Sequence, residues 1–159
     1  MNGYYFYLGA QTSVVKLGCA CWGSGSAGAV ARLGLYNVDS AGYPTTLIVD
    51  GGTVAVTANN FTTLKTVSFT AVVLPAGTYY AAIAQQGGAT TRATYLGIAQ
   101  AFPYGPITFG GGDLSTGASG WVGYRVTSGV TGALPSTWPA GATPIQQNTT
   151  HAPFVWVGA

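Results

Sequence analysis

Apolar and polar residues alternate along several short segments of this chain. From Ala29 to Tyr36 every second residue is apolar, and Arg32 lies on the side opposite to Leu33 and Leu35. A period of two is that of a β-strand, in which successive side chains point to opposite faces. The same pattern, or a short apolar run bounded by turn residues, predicts further strands at Tyr4–Leu8, Val14–Trp22, Thr45–Val49, Thr53–Thr57, Lys65–Leu74, Thr78–Gln85, Thr90–Ile98, Ile107–Phe109, Trp121–Val126 and Pro153–Val157.

The residues between and within these runs allow more detailed expectations. Asp50-Gly51-Gly52 predicts a hairpin turn, because glycine readily adopts positive φ. The terminal run Pro153–Val157 is so apolar that we expect it to pair near the first strand. Thr127–Gln147 has the composition of a long ordered loop, a kind of segment that usually carries function or contacts. Within Lys65–Leu74, one face is predicted to hold Val67, Phe69, Ala71 and Val73.

These elements together predict the fold class. No stretch of a dozen residues shows the 3.6-residue period of a helix. Many short strands with regular turns predict an all-β fold, an antiparallel β-sandwich that is jelly-roll-like, with long ordered loops in the C-terminal half. A length of 159 residues is that of one domain, so we expect a single β-sandwich domain over residues 1–159.

Charge is the most unusual feature of the composition. Only 5% of residues are charged, against about 25% in an average soluble domain, and glutamate is absent. The net charge of +2 comes from scattered groups, so no basic surface for nucleic acid is expected. Prolines interrupt the uncharged region after Arg125, and no membrane-spanning helix is predicted. A surface with so few charges favours association, and we expect copies of the chain or other proteins to cover much of it.

The residues with reactive side chains give little support to catalysis. Cys19 and Cys21 share a strand face with Leu17, which predicts two small core thiols, and no metal or other cofactor is expected. Hydrolysis requires an acid and a base, or a nucleophile with its activator. The available groups are three aspartates and His151, which has no partner nearby in the sequence. We therefore expect no enzymatic activity.

Aromatic residues in predicted loops and on strand faces are the candidates for contacts. The loop Asn37–Pro44 holds Asp39 and Tyr43, which are suited to binding a sugar, or a hard cation through oxygen atoms. Alternatively, Asp39 and its neighbours are ordinary turn residues that bond their own backbone. Trp22 lies on a weakly polar strand face that is either a contact surface or is covered by a loop of the same chain. Further candidates for contact with a glycan or a protein partner are Tyr104, Trp121 and Trp138.

Three segments carry a resemblance to a known family. GSAGAVARLGLYN, LIVDGGTV and LPAGTYYAAIAQQGG together resemble a β-sandwich module of bacteriophage virion-surface proteins, of the tail-fibre, minor-tail or capsid-decoration type. The resemblance covers about Tyr4 to Tyr95 and implies a structural or adhesive role on a virion. The chain lacks the collagen-like or coiled-coil shaft that usually carries such a module in a fibre, which makes a capsid-decoration protein plausible.

The functional expectation combines this resemblance with the low charge. We expect a non-enzymatic structural protein on the virion surface that self-associates, preferably as a trimer, and packs on other virion proteins. The alternative is a receptor-binding domain that binds a glycan of the host surface. The N-terminal residues lack the features of a secretory signal, so we expect synthesis in the cytoplasm of the bacterial host.

Overall fold

The computed structural model describes residues 1–23, 25–57, 60–88, 94–95, 121–126, 129–146 and 155–158. Within these ranges the chain forms strands and turns and contains no helix, which confirms the all-β prediction. The strands are β1 (Asn2–Leu8), β2 (Thr12–Gly23), β3 (Val30–Val38), β4 (Pro44–Ala55), β5 (Asn60–Leu74), β6 (Gly77–Gln86), β7 (Thr94–Tyr95), β8 (Trp121–Arg125), β9 (Thr143–Gln146) and β10 (Val155–Gly158).

The strands form two antiparallel sheets. The larger has six strands in the order β4-β3-β6-β1-β8-β9, and the smaller has the order β10-β2-β5, with β7 also paired to β2. One apolar core between the sheets takes residues from both, which confirms the β-sandwich; the jelly-roll arrangement stays a prediction. The fully buried side chains of this core include Leu33 and Leu35 on β3 and Leu17, Cys19 and Cys21 on β2. Both cysteines are free thiols, as predicted.

The hairpin predicted at Asp50-Gly51-Gly52 is wrong, because β4 runs through these residues without turning. Leu33 pairs with Gly52 and Gly34 pairs with Asp50, so Gly51 is an extra residue in the ladder, which is a β-bulge. Gly52 has φ +93°, and its N–H donates to Oδ1 of Asp50 at 3.1 Å. The glycines therefore allow a local kink within one strand, where the same residue types in another context would form a turn.

A second irregularity changes the inward face of β5. Val67 and Phe69 pack on the core as predicted, but Val72 and Leu74 follow them there, and Val73 is 58% exposed. The register with β2 is irregular at this point, and both strands change the face that points inward: on β2, Val14 and Leu17 are both buried although they are three residues apart. The prediction for Ala71 and Val73 was therefore wrong.

Two expectations for the C-terminal part also need correction. The last strand, β10, pairs with β2 in the smaller sheet, whereas β1 lies in the larger sheet, so β10 is not paired near the first strand. Residues 143–146, predicted as part of a loop, form β9 and pair with β8. Strand pairing between distant segments decides both outcomes, and local sequence patterns do not report it.

Strand β6 is buried on both of its faces. Tyr79, Ala81 and Ile83 face the core between the sheets, while Tyr80, Ala82 and Ala84 belong to a second apolar cluster on the outer side of the larger sheet. Residues 129–142, which we call the strap, cover this outer side. The strap lies between the adjacent strands β8 and β9 in the sequence, and it crosses the sheet to reach β4.

Small residues on the outer side let the strap approach the sheet closely. Gly34 of β3 lies beside Ala82 of β6, so neither contributes a large side chain. Leu134 of the strap occupies the space above Gly34: a Cβ atom there would collide with Leu134 Cδ1 and would lie 2.8 Å from the carbonyl oxygen of Val49. Glycine at position 34 is thus required by the packing of the strap.

We predict that Gly34→Ala lowers the free energy of unfolding by about 1–3 kcal/mol, the usual result of overpacking a core. Urea titration followed by circular dichroism measures this. Gly9→Ala is the matched control, because a Cβ at Gly9 meets no atom within 4 Å. Both substitutions restrict the unfolded chain alike, so their difference reports the packing under the strap. Equal stabilities of the two variants would contradict the assigned contact.

Candidate functional site

Five tyrosines and one tryptophan form an aromatic cluster on the outer side of the larger sheet. Trp138 of the strap packs edge-on against Tyr36 and Tyr80, with ring centroids 5.1 and 4.9 Å apart. Tyr5 packs edge-on against Tyr80 at 5.1 Å. Such pairs add about 0.5–1.5 kcal/mol each beyond the area they bury. The members of this outer aromatic cluster are Tyr5, Tyr36, Tyr43, Tyr80, Tyr124 and Trp138.

The structure corrects the expectation that Trp138 is a contact residue for a partner or a glycan. Its side chain is only 3% exposed, so its ring presents no face to solvent. The backbone explains this position: Trp138 N–H donates to the carbonyl of Thr45 at 2.7 Å, and Thr137 bridges to Thr46 of β4. These bonds hold the strap against the sheet edge and turn the indole inward. Among the described residues, no group accepts a hydrogen bond from the indole N–H.

Four tyrosine hydroxyls of the cluster, those of Tyr5, Tyr36, Tyr43 and Tyr80, donate to backbone carbonyls. Tyr36 donates to Pro135 at 2.9 Å and Tyr43 donates to Pro139 at 2.6 Å, which ties both ends of the strap's central segment to the sheet. Tyr5 donates to the carbonyl of Gly42. Burial raises the pKa of Tyr5 and of Tyr36 above the usual value for a phenol. The hydroxyls of Tyr5 and Tyr36 therefore act as neutral hydrogen-bond donors.

The loop that contains Asp39 and Tyr43 is held by bonds within itself. Oδ1 of Asp39 accepts from the N–H groups of Ala41 at 2.9 Å and Tyr43 at 2.7 Å, and Asp39 N–H donates to the carbonyl of Tyr43 at 2.9 Å. This is the turn arrangement that competes with a ligand-binding role. The Tyr43 ring is half-buried and packs edge-on against Tyr124 at 4.8 Å. Asp39 itself is exposed, and binding of a sugar or cation there stays a prediction.

The remaining candidates are not tested by the structure. Tyr104 lies outside the described residues, as do Asp113 and His151. Trp22 and Trp121 belong to β2 and β8, but their side chains are not among those described. The structure therefore brings Tyr43 and Trp138 together in one cluster and places Asp39 beside them on the surface. The contact candidates Tyr104, Trp22 and Trp121 stay untested.

Sequence reasoning missed Tyr7, which at 62% is the most exposed aromatic residue among the side chains that the structure describes. Tyr7 alternates with Tyr5 along β1, so both point to the outer side of the larger sheet. Tyr5 lies in the aromatic cluster, whereas Tyr7 lies one step further, opposite Thr78. Because Tyr79 pairs with Asn37, Tyr7 is at the same end of the sheet as the Asp39 loop.

Asp50 joins three parts of the fold. Its carboxylate accepts from Arg32 Nε at 2.9 Å to each oxygen, from Leu134 N–H at 3.0 Å and from Gly52 N–H at 3.1 Å. Burial alone would raise the pKa of Asp50, but the bonds from Arg32, Leu134 and Gly52 outweigh it and hold that pKa below its ordinary value. The Arg32–Asp50 ion pair is partly buried, with the side chains 22% and 19% exposed. The carboxylate of Asp50 thus links Arg32, the bulge in β4 and the strap at Leu134.

The thiols are placed for packing. Cys19 and Cys21 are both fully buried, and burial raises the pKa of Cys19 to about 12. The pKa of Cys21 is also raised, again mainly by burial. Because the thiolate is the reactive form, neither group is a nucleophile at neutral pH.

The described residues contain neither a candidate metal site nor a candidate membrane-spanning helix. No group of three or more His, Cys, Asp or Glu side chains is arranged to hold a metal ion in these ranges. No helix there has the length and apolar character needed to cross a membrane. Comparison with family models, curated proteins and solved structures gave no match to this chain. The function is therefore inferred from the sequence, the fold and its surfaces.

We predict that Asp50→Asn removes a pH dependence of stability. Because the folded-state pKa of Asp50 is lowered, its stabilisation is complete above the pKa of the unfolded chain, about 3.9, and is lost as pH falls through the folded value. At pH 7 we expect the free energy of unfolding of the variant to be about 1–3 kcal/mol lower, because the hydrogen bonds from Arg32 and Leu134 lose their charged acceptor.

Urea titrations from pH 7 down to pH 2 measure the difference between the variant and the original chain. The difference should shrink below about pH 4, where the original carboxyl also becomes protonated. A difference that stays constant over this range contradicts the assigned role of the Asp50 charge.

Proposed function

We propose that this chain is a non-enzymatic structural protein on the surface of a bacteriophage virion, a capsid-decoration protein or a minor component of a tail or fibre. It associates with copies of itself and packs on other virion proteins. The trimer expected from the sequence is the preferred form of this association. The sequence resemblance supports the virion assignment. The surface of the smaller sheet supports the association.

The observation that carries the proposal is the outer face of the smaller sheet. The strap covers the outer face of the larger sheet, whereas many described side chains on the corresponding face of β2 and β5 are exposed. Its exposed side chains are small, hydroxyl-bearing or apolar, with a single charge, and they include Ser13, Lys16, Thr66, Ser68 and Val73. Covering such a face with a partner requires little desolvation of charged groups.

The acidic groups of the described residues also have structural roles. Asp39 closes a turn through its bonds to Ala41 and Tyr43. Asp50 holds Arg32, the bulge and the strap. Side chains that would have to serve as acid or base in a hydrolytic mechanism are thus engaged in holding backbone, which favours a structural role over a catalytic one.

We predict that the purified chain sediments as a species of about three times the mass of one chain. We also predict that a tagged copy, detected by immunogold electron microscopy, lies on the surface of particles of the virus that encodes it. An unrelated tagged protein of similar size is the labelling control. A chain that stays monomeric at high concentration, together with particles that carry no label, contradicts the proposal.

A glycan-binding role is the second candidate, and the exposed ring of Tyr7 favours it. An exposed aromatic side chain offers a face on which a sugar ring can stack. Tyr7 lies at the same end of the larger sheet as the Asp39 loop, whose exposed carboxylate and Asn37 side chain offer polar groups nearby. The two roles are compatible, since a protein on a virion surface can also contact the host.

A glycan array tests this second role. If it is correct, the chain binds a defined group of glycans, and Tyr7→Ala reduces the binding at least tenfold. Val73→Ala is the matched control, because Val73 is a similarly exposed apolar residue on the other sheet. Absence of binding by the unmodified chain, or equal binding by both variants, contradicts a glycan site at Tyr7.

A further inference from the structure

We infer that the surface formed by Tyr7 and Asp39 selects glycans that carry no acidic group. The inference rests on the glycan-binding role, the second of the proposed functions, and names the class of sugar that the site accepts. One sugar ring stacks on the ring of Tyr7, and its hydroxyl groups donate to the Asp39 carboxylate. A glycan with a carboxylate, phosphate or sulfate group is repelled there by the charge of Asp39.

The Asp39 loop, residues 39–43, folds over the outer side of the larger sheet. The Tyr5 hydroxyl of β1 donates to the carbonyl of Gly42, and the ring of Tyr43 packs on the next strand, β8. The loop starts at β3, so it crosses β6 to make these contacts. Tyr7 follows Tyr5 on the same side of β1, about 7 Å further along the strand. The exposed ring of Tyr7 is therefore the next outward-facing side chain of β1 beside the loop.

The charge of Asp39 acts on the same two strands. Burial and the neighbouring Tyr124 raise the pKa of Tyr5, and the negative charge of Asp39 raises it further. Burial also raises the pKa of Tyr124 on β8, and the charge of Asp39 adds to this effect. The exposed carboxylate thus lies within electrostatic reach of β1, the strand that carries Tyr7.

One oxygen of the Asp39 carboxylate is available to a ligand. Oδ1 holds the turn, because it accepts from the N–H groups of Ala41 at 2.9 Å and Tyr43 at 2.7 Å. Among the described residues, no group donates to Oδ2. Hydrogen bonds from a hydroxyl to a carboxylate are about twice as strong as those between neutral groups. Oδ2 is therefore suited to bind sugar hydroxyls while Oδ1 keeps the loop in place.

The surface between the Tyr7 ring and the start of the loop is uncharged. Thr78 of β6 pairs with Tyr7 and faces the same outer side. Val38 of β3 reaches the level of Thr78, because the preceding residue, Asn37, pairs with Tyr79. Thr78 and Val38 are both half-buried. Together they offer one hydroxyl and one apolar side chain, which match the mixed surface of a sugar ring.

Within the described residues, no cation shares the outer side of the larger sheet at this end. The N-terminal amino group and Arg125 lie at the other end of β1, about 16 Å from Tyr7 along the strand. That distance exceeds the screening length of about 8 Å at physiological salt. The remaining described cations are paired with Asp50 or belong to the smaller sheet, namely Arg32, Lys16 and Lys65. An acidic sugar would therefore meet the Asp39 charge without a compensating partner.

A glycan array that pairs neutral hexose glycans with the corresponding hexuronic acids tests this selection. The two members of each pair differ in a single carboxylate. We expect the unmodified chain to bind the neutral member about tenfold more tightly, because two like charges in close contact repel each other. The discrimination should shrink as the salt concentration is raised, because the charge of Asp39 is exposed.

Asp39→Asn separates the charge of this residue from its role in the turn. Asparagine keeps an oxygen that accepts from Ala41 and Tyr43, and circular dichroism checks that the fold is retained. We expect this variant to bind the acidic member as tightly as the neutral one. Thr66→Lys is the matched control, because it changes the net charge by the same amount at an exposed position of the smaller sheet. It should keep the discrimination of the unmodified chain.

The outcomes separate this inference from the role on which it rests. If Tyr7→Ala weakens binding but acidic glycans bind as tightly as neutral ones, the selection is overturned while the glycan site at Tyr7 stands. The same conclusion follows if Asp39→Asn keeps the discrimination, or if Thr66→Lys removes it equally. If the unmodified chain binds no glycan, or if Tyr7→Ala leaves binding unchanged, the glycan site and its selection both fail, and the structural role is decided by sedimentation and particle labelling.

Discussion

A sheet that is apolar on both faces must be covered twice, and the rest of this structure depends on that constraint. The central strand β6 is buried from Tyr79 to Ala84, with alternate residues in two separate apolar clusters. The smaller sheet covers one face. The strap covers the other, and it fits because Gly34 and Ala82 leave room for Leu134. The outer aromatic cluster is consequently a second core, although its composition resembles that of a binding surface.

Several polar side chains of the described residues hold the strap on the larger sheet. The strap crosses the sheet as irregular backbone, so its carbonyls need partners other than a neighbouring strand. Tyr36 and Tyr43 supply hydroxyl donors to two of them, and Asp50 accepts from Leu134 N–H while it holds Arg32 and the bulge in β4. With only three acidic residues in the chain, one is used at this junction and another closes the turn at Asp39. This use of charge leaves exposed faces that are suited to association.

Sequence patterns predicted the strands because a period of two is a local property, and most of the predicted strands were confirmed. Local patterns did not separate a bulge from a hairpin at Asp50-Gly51-Gly52, since both use a glycine at positive φ. They also did not show that Trp138 is buried, because Tyr36, about a hundred residues earlier in the chain, packs against it. Tyr5 and Tyr7 have the same pattern in the sequence, but they differ in exposure because of what packs on them.

The most direct test of this account is amide hydrogen exchange at the strap, measured by NMR. The N–H groups of Leu134 and Trp138 bond to Asp50 and Thr45, and the side chains of both residues are buried. If the strap is an integral layer, these amides exchange about as slowly as that of Ala82 in the central strand, because all three open only when the domain unfolds. Exchange of Leu134 and Trp138 at the rate of an open loop, while Ala82 stays protected, would show that the outer face is accessible and would contradict the account.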